Sequence, residues 1–162
     1  MKKPDIERIK HLVQYDPESG LFTWLNPTSA RARKGSTAGC LNQDGYIVIR
    51  LDGVLYRAHR LAVYLETGAW PDGDIDHRDG VRTNNAASNL RHVSRTVNMQ
   101  NLRRARRDNS TGVLGVAKCG TGYRSAIKHN GKQIHLGCFS TAADAHQAYL
   151  SAKRALHEGC TI

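Results

Sequence analysis

Turn-forming residues cut this chain into short pieces, and that constrains its fold more than any other feature. Asp52-Gly53 and Asn130-Gly131 each separate two strand-like runs. Such pairs supply the positive φ angles that tight hairpin turns require, so each marks an antiparallel hairpin. Asp16-Pro17-Glu18-Ser19-Gly20 and Gly120-Thr121-Gly122 mark further turns. Strands are predicted over 21–25, 46–51, 54–57, 113–119, 123–129 and 132–139, with 26–45 and 73–92 as loop-rich stretches. Helical spacing predicts helices over 5–15, through Ile6, Ile9, Leu12 and Val13, and over 59–67, through Leu61, Ala62 and Leu65. A helix from Ser94 to about Arg104 and a last one are also expected. The last is opened by Thr141 and Asp144 at capping-box spacing, striped by Ala145, Tyr149, Ala152 and Leu156, and stopped by Gly159. The expected fold class is α+β, with small antiparallel sheets.

With 162 residues, the chain suits one ordinary domain or two small ones. A basic stretch that turns small and polar points to two: 1–104, a linker over 105–111, and 112–162. Two domains of this size build shallow cores, so a catalytic site here should face the surface. No window approaches the length of a membrane-spanning helix. The start, Met1-Lys2-Lys3-Pro4-Asp5, lacks the apolar core of a signal peptide, which leads us to expect a cytoplasmic protein with no membrane partner. Cys40, Cys119, Cys138 and Cys160 have no paired spacing. They are read as reduced thiols rather than disulfides or zinc ligands.

The formal net charge is +10 and is unevenly placed. Residues 1–79 carry 11 Lys or Arg and 11 Asp or Glu, whereas residues 80–162 carry 13 and 3. From Gly80 to Arg107 there are seven arginines and no acid. A solvated helix face explains such a run less well than contact with a phosphate backbone.

The most informative segment runs from Asp76 to Asn98. An acid beside a histidine at a strand-to-loop junction can turn the carboxylate toward a cation and the imidazole toward a water. A hard divalent cation accepts one carboxylate and one amide oxygen with phosphate and water. A neutral imidazole takes a proton from water near neutral pH. An Asp-His pair alone is weak evidence, and Asn84, Asn85 and Asn89 equally suit turn chemistry.

The stretch Asp76-His77-Arg78-Asp79-Gly80 … Asn84-Asn85 … Asn89-Leu90-Arg91 … Asn98 resembles the HNH endonucleases, with their ββα-metal (His-Me) finger, here at about 73–104. Upstream, Tyr15-Asp16-Pro17-Glu18-Ser19-Gly20-Leu21-Phe22-Thr23-Trp24, Gly45-Tyr46 and His59-Arg60-Leu61-Ala62 look like the N-terminal part of phage and intron homing-type members. The resemblance implies that His77 is the general base. It implies that Asp76 and Asn98 bind one divalent cation, Mg²⁺ or Mn²⁺ and not zinc. It implies that Asn89 orients the histidine and stiffens the loop. His59 reads most simply as structural, with a supporting role at the site as the alternative. Asn101 shares the helix face of Asn98 and is a second supporting candidate.

Residues 111–158 resemble the plant ethylene-response-factor (Apetala-type) DNA-binding domain, through Gly115-Val116, Ala126-Ile127-Lys128, Leu136-Gly137-Cys138-Phe139 and Ala142-Ala143-Asp144-Ala145 … Ala148-Tyr149. That implies a three-stranded sheet packed on one helix and laid against duplex DNA. Alternation places Tyr123, Ser125, Ile127, Ile134, Leu136 and Cys138 inward. It places Arg124, Ala126, Lys128, Gln133 and His135 outward, and Tyr123, Phe139 and Tyr149 read as core. The family's first-strand arginines are replaced by Ala117 and Cys119, so its base preference does not carry over. Arg91, Arg103, Arg104, Arg106, Arg107, Arg124, Lys128, Gln133 and His135 are the expected DNA contacts.

Together these readings expect a metal-dependent, phage-encoded or homing-type DNA endonuclease, monomeric or homodimeric. The alternatives are a non-catalytic DNA-binding regulator on a relic HNH fold, and an RNA-binding protein.

Overall fold

The computed structural model describes residues 3–158 and 160. Met1, Lys2 and the expected helix stop Gly159 lie outside the described residues. The chain forms two compact units, Met1–Ser94 and Arg95–Ile162. The architecture is α+β.

The first unit opens with α1 (Ile6–Leu12), capped by Asp5, whose carboxylate accepts from Glu7 N. The helix stops earlier than its periodicity predicts. Val13–Tyr15 becomes β1 and pairs antiparallel with β2 (Phe22–Trp24), Val13 opposite Trp24. Val13 is buried either way, so helical spacing could not separate the two outcomes. A second sheet has the order β3 (Cys40–Leu41), β4 (Ile47–Leu51) and β5 (Val54–Arg57). The Asp52-Gly53 turn has φ of 46° and 82°, as its residues require. Helix α2 (Ala58–Thr67) follows at once and ends at Gly68 in the left-handed region.

These elements close over one apolar core. Ile9, Leu12, Phe22, Ile49, Leu61 and Ala62 are almost completely buried. Arg60 leaves that core to bind the chain beyond the helix, donating to the carbonyls of Pro71 and Gly73. This fixes the approach to β6 (Asp74–His77), which pairs antiparallel with β7 (Leu90–Val93). The stretch 73–92, expected to be loop-rich, is therefore a hairpin with a long, internally bonded connection.

The second unit starts with α3 (Arg95–Gln100), shorter than its sequence suggests. It continues into a sheet of order β10 (Lys132–Phe139), β9 (Gly122–His129), β8 (Val116–Cys119), and then α4 (Ala142–Leu156). Thr141 accepts from Asp144 N, completing the expected cap. Val116, Ser125, Ile127, Ala145 and Tyr149 form the buried side. Tyr149 lies across Gly115, where an added Cβ would sit 2.0 Å from the ring, so only glycine fits. Lys153 joins this interior, and its Nζ donates to the Leu102 carbonyl.

The outward row is as expected on β9, where Arg124 and Lys128 are exposed. On β10 two inward expectations need correction: Ile134 is exposed, and Cys138 turns over. A bulge between His135 and Gly137 inserts Leu136, so Cys138 falls opposite Arg124 and faces outward rather than inward. Cys138 Sγ lies 3.8 Å from His135 Nε2 on that same face.

Candidate active site

His77 ends β6 and Asp76 precedes it, both buried at 4% and 6% exposure. Asp76 sits opposite Arg91 in the hairpin. Arg91 Nε and Nη2 donate to Asp76 Oδ2 at 3.0 and 2.7 Å. Arg91, expected to contact DNA, is thus engaged by the carboxylate expected to bind metal.

The loop after His77 is held by its own amides. Asn89 Oδ1 accepts from Asp79 N, and its Nδ2 donates to Asp79 Oδ1 and the Asn84 carbonyl. Asn84 Nδ2 donates to Asp79 Oδ2 at 2.7 Å. Burial alone would raise the Asp79 carboxyl, but the bonds from Val81 N, Asn84 and Asn89 outweigh it and hold it below its ordinary value. Asn89 therefore sits at the centre of the loop, tying its two ends.

The His77 imidazole meets a residue whose sequence context suits turn chemistry equally well. His77 Nε2 lies 3.2 Å from Asn85 Oδ1. An amide oxygen only accepts, so Nε2 carries the proton in the neutral ring and Nδ1 the lone pair. Asn85 is itself anchored: its Nδ2 donates to the Thr83 carbonyl, and its own carbonyl accepts from the Tyr15 hydroxyl at 2.8 Å. Burial pushes that hydroxyl up to about 12, so it remains a donor. Gly20 packs so closely that a Cβ there would lie 2.2 Å from Ala86 N. The Asp16–Gly20 turn thus reaches His77 through Asn85.

A second imidazole abuts the first. His59, on α2, is 4% exposed and meets His77 edge-on, with ring centroids 5.2 Å apart. Among the described residues, nothing hydrogen-bonds its Nδ1. Burial, then His77 and the arginines at 57 and 60, lower His59 to about 3. His77 is also lowered, mainly by burial, against the opposing effects of Asn85, Asp79 and Asp76. Both rings are neutral at pH 7.

Buried neutral histidines make the fold acid-sensitive. Their folded values lie below the ordinary 6.5, so the unfolded chain binds more protons below that pH. Their contribution is intact above pH 6.5 and is lost as pH falls from 6.5 toward 3. For His59 the loss is about 2 kcal/mol by pH 5. The first unit should therefore melt roughly 10 °C lower at pH 5 than at pH 7. His59→Gln should flatten that dependence. An unchanged melting temperature across this range would contradict the argument.

The remaining expected residues belong to the second unit. Asn98 lies on α3, and Asn101 just beyond it is buried, its amide donating to the Val97 and Asn98 carbonyls. Arg103, Arg104, Arg106 and Arg107 are exposed, as are Arg124, Lys128, Gln133 and His135 on the sheet. Among the described residues, no group of three or more His, Cys, Asp or Glu could hold a metal ion. A hard cation does not require one: a buried carboxylate such as Asp76 suits a cation that draws its other ligands from amide, phosphate and water oxygens.

Residues 56–100, from the end of β5 through α3, match the model of the HNH endonuclease family. Among solved structures, one described as DNA binding and cleavage by the HNH homing endonuclease I-HmuI is similar at 21% identity. It covers 98% of this chain and 95% of that one, with a TM-score of 0.45. No curated protein matches the chain. No helix among the described residues is long and apolar enough to cross a membrane.

Proposed function

We propose that this chain is a metal-dependent DNA endonuclease whose general base is His77. The observation that carries the reading is the imidazole itself. It is buried, neutral and held through Nε2–H by Asn85, beside a buried carboxylate, within the segment that matches the HNH endonuclease model. Nδ1 then takes the proton as water attacks the phosphodiester in line. Asn89 keeps the loop from shifting the ring. Asp76 would hold one divalent cation, Mg²⁺ or Mn²⁺, with Asn98 as the second ligand that the HNH resemblance implies. When bound, such a cation supplies positive charge to the scissile phosphate and its leaving oxygen.

The second unit reads the duplex through Arg124, Lys128, Gln133 and His135, exposed along one face of a sheet whose other face is covered by α4. This arrangement supports the ethylene-response-factor-like reading. The exposed arginines at 103, 104, 106 and 107 follow the backbone. A phage-encoded or homing-type role in the cytoplasm of a host belongs to the same proposal. One such site cuts one strand, so a monomer nicks and a homodimer breaks both strands.

The test is supercoiled plasmid with Mg²⁺. Conversion to nicked or linear product, abolished by EDTA, is expected, with ends bearing 5′-phosphate and 3′-hydroxyl that a ligase reseals. Binding without cutting would favour the non-catalytic regulator, and preference for duplex RNA would favour the RNA-binding reading.

A further inference from the structure

Arg57 lies in the charge-neutral stretch 1–79 and Arg82 just beyond it, yet the fold gathers both beside His77. Tyr46 lies at the end of the turn between β3 and β4, fixed by Asn42, whose Oδ1 accepts from Tyr46 N at 2.8 Å. Its ring centroid is 5.2 Å from that of His59 and 6.0 Å from that of His77. Two guanidiniums stand over the same ring: Arg57 from the end of β5 at 4.7 Å, and Arg82 from the loop after β6 at 4.9 Å. Positions 46, 57 and 82 belong to three separate elements, so only the folded chain brings them together.

These guanidiniums are poorly used internally. Arg82 donates one Nη1 bond to the Asp44 carbonyl. Arg57 has an ion pair with Asp44 at 3.8 Å, too long for a hydrogen bond. Both side chains are exposed. A guanidinium presents five N–H donors in a rigid fork, and stacking on an aromatic face fixes the plane of that fork while leaving its edge open. One carboxylate faces two positive groups, so an anion is favoured there. The site also borders the imidazoles: Arg82 acts electrostatically on His77, and Arg57 on His59.

We propose that Arg57 and Arg82, stacked on Tyr46, form a phosphate clamp that grips the DNA backbone next to the phosphodiester presented to His77. The inference rests on the nuclease reading above for its ligand, duplex DNA. Fork-shaped donors match phosphate oxygens, and grip beside the reacting group converts binding into alignment. Arg57 and Arg82 are thus positioning residues that contact backbone and not bases.

The experiment uses the full chain carrying His77→Ala, so that binding is measured without cutting. Its affinity for duplex DNA of arbitrary sequence is followed between about 50 and 200 mM salt. Adding Arg57→Gln and Arg82→Gln should lower the slope of log K against log salt by about 1.8, or about 0.9 for each arginine alone. A second reading needs no further substitution: the Nε–H resonances of Arg57 and Arg82 should shift when duplex DNA is added to the His77→Ala chain. An unchanged salt slope, unmoved resonances, or an effect confined to duplex RNA would each overturn the clamp. A chain that binds with the expected slope change but never cuts plasmid keeps the clamp and loses the nuclease. A chain that cuts while both arginines are silent does the reverse.

Discussion

His77→Ala should abolish DNA cleavage while leaving DNA binding almost untouched. Losing a positioned general base costs about 10²- to 10⁴-fold in rate, so a fall of about a thousandfold is expected. Binding should survive because the ring is neutral in the folded chain. Burial lowers its proton affinity against the pull of Asn85, Asp79 and Asp76, so it carries no charge toward phosphate at pH 7. Alanine therefore removes a proton acceptor and not a cation. The Asn89 to Asp79 bonds that hold the loop do not involve the imidazole and should keep its shape. Rates from plasmid cleavage and affinities from a gel-shift titration check both halves. A variant that cuts at near wild-type rate in Mg²⁺ would remove His77 from the mechanism.

Gly20→Ala should be the most damaging small substitution in the first unit. Gly20 has φ of +72°, a conformation that costs an L residue about 1–2 kcal/mol. The new Cβ would lie 2.2 Å from Ala86 N and 2.3 Å from the Asn85 carbonyl carbon. Those are backbone atoms and cannot swing aside as a side-chain tip would. They are fixed by the Tyr15 hydroxyl on the Asn85 carbonyl and by Ala87 N donating to the Pro17 carbonyl. Relief requires the Asp16–Gly20 turn and the 85–87 segment to part, adding an overpacking cost of about 1–3 kcal/mol. A total of about 3 kcal/mol should lower the melting temperature of this unit by more than 10 °C. Because Asn85 holds His77, cleavage should fall as well, even well below the melting point. A melting temperature within about 2 °C of wild type would show that the turn does not press on Asn85 as described.

How far the sequence foretold this depends on whether the deciding interaction is local. Asp-Gly and Asn-Gly predict their hairpins because the turn residues carry the required φ angles themselves, 46° and 82° at the first and 49° and 78° at the second. Thr141 caps α4 for the same reason. By contrast, β1 was hidden in the helical spacing of α1 because its pairing depends on Trp24, eleven residues on. β3 was hidden in a polar stretch because only β4 makes it a strand. The bulge at Leu136 depends on the register against β9, which no alternation pattern reports.

The site divides in the same way. Asp76, His77 and Asn89 could be picked out because the motif is nearly contiguous. Asn85 was visible as a residue but not as the partner of His77, since the bond exists only once the loop closes. Arg91 was expected as a backbone contact, and its ion pair with Asp76 was not visible because it exists only once the hairpin register sets the two opposite. Tyr46, Arg57 and Arg82 were invisible as a group because they lie far apart in the sequence and only the fold brings both guanidiniums onto one ring.

The central claim is that a neutral His77 serves as the base of a DNA-cutting site. Its most direct measurement is supercoiled plasmid incubated with Mg²⁺ and either the wild-type chain or His77→Ala, with the product ends mapped. Nicked or linear DNA with 5′-phosphate and 3′-hydroxyl ends is expected for wild type, and intact plasmid for the variant. Intact plasmid with both chains, or equal cutting by both, would contradict the claim.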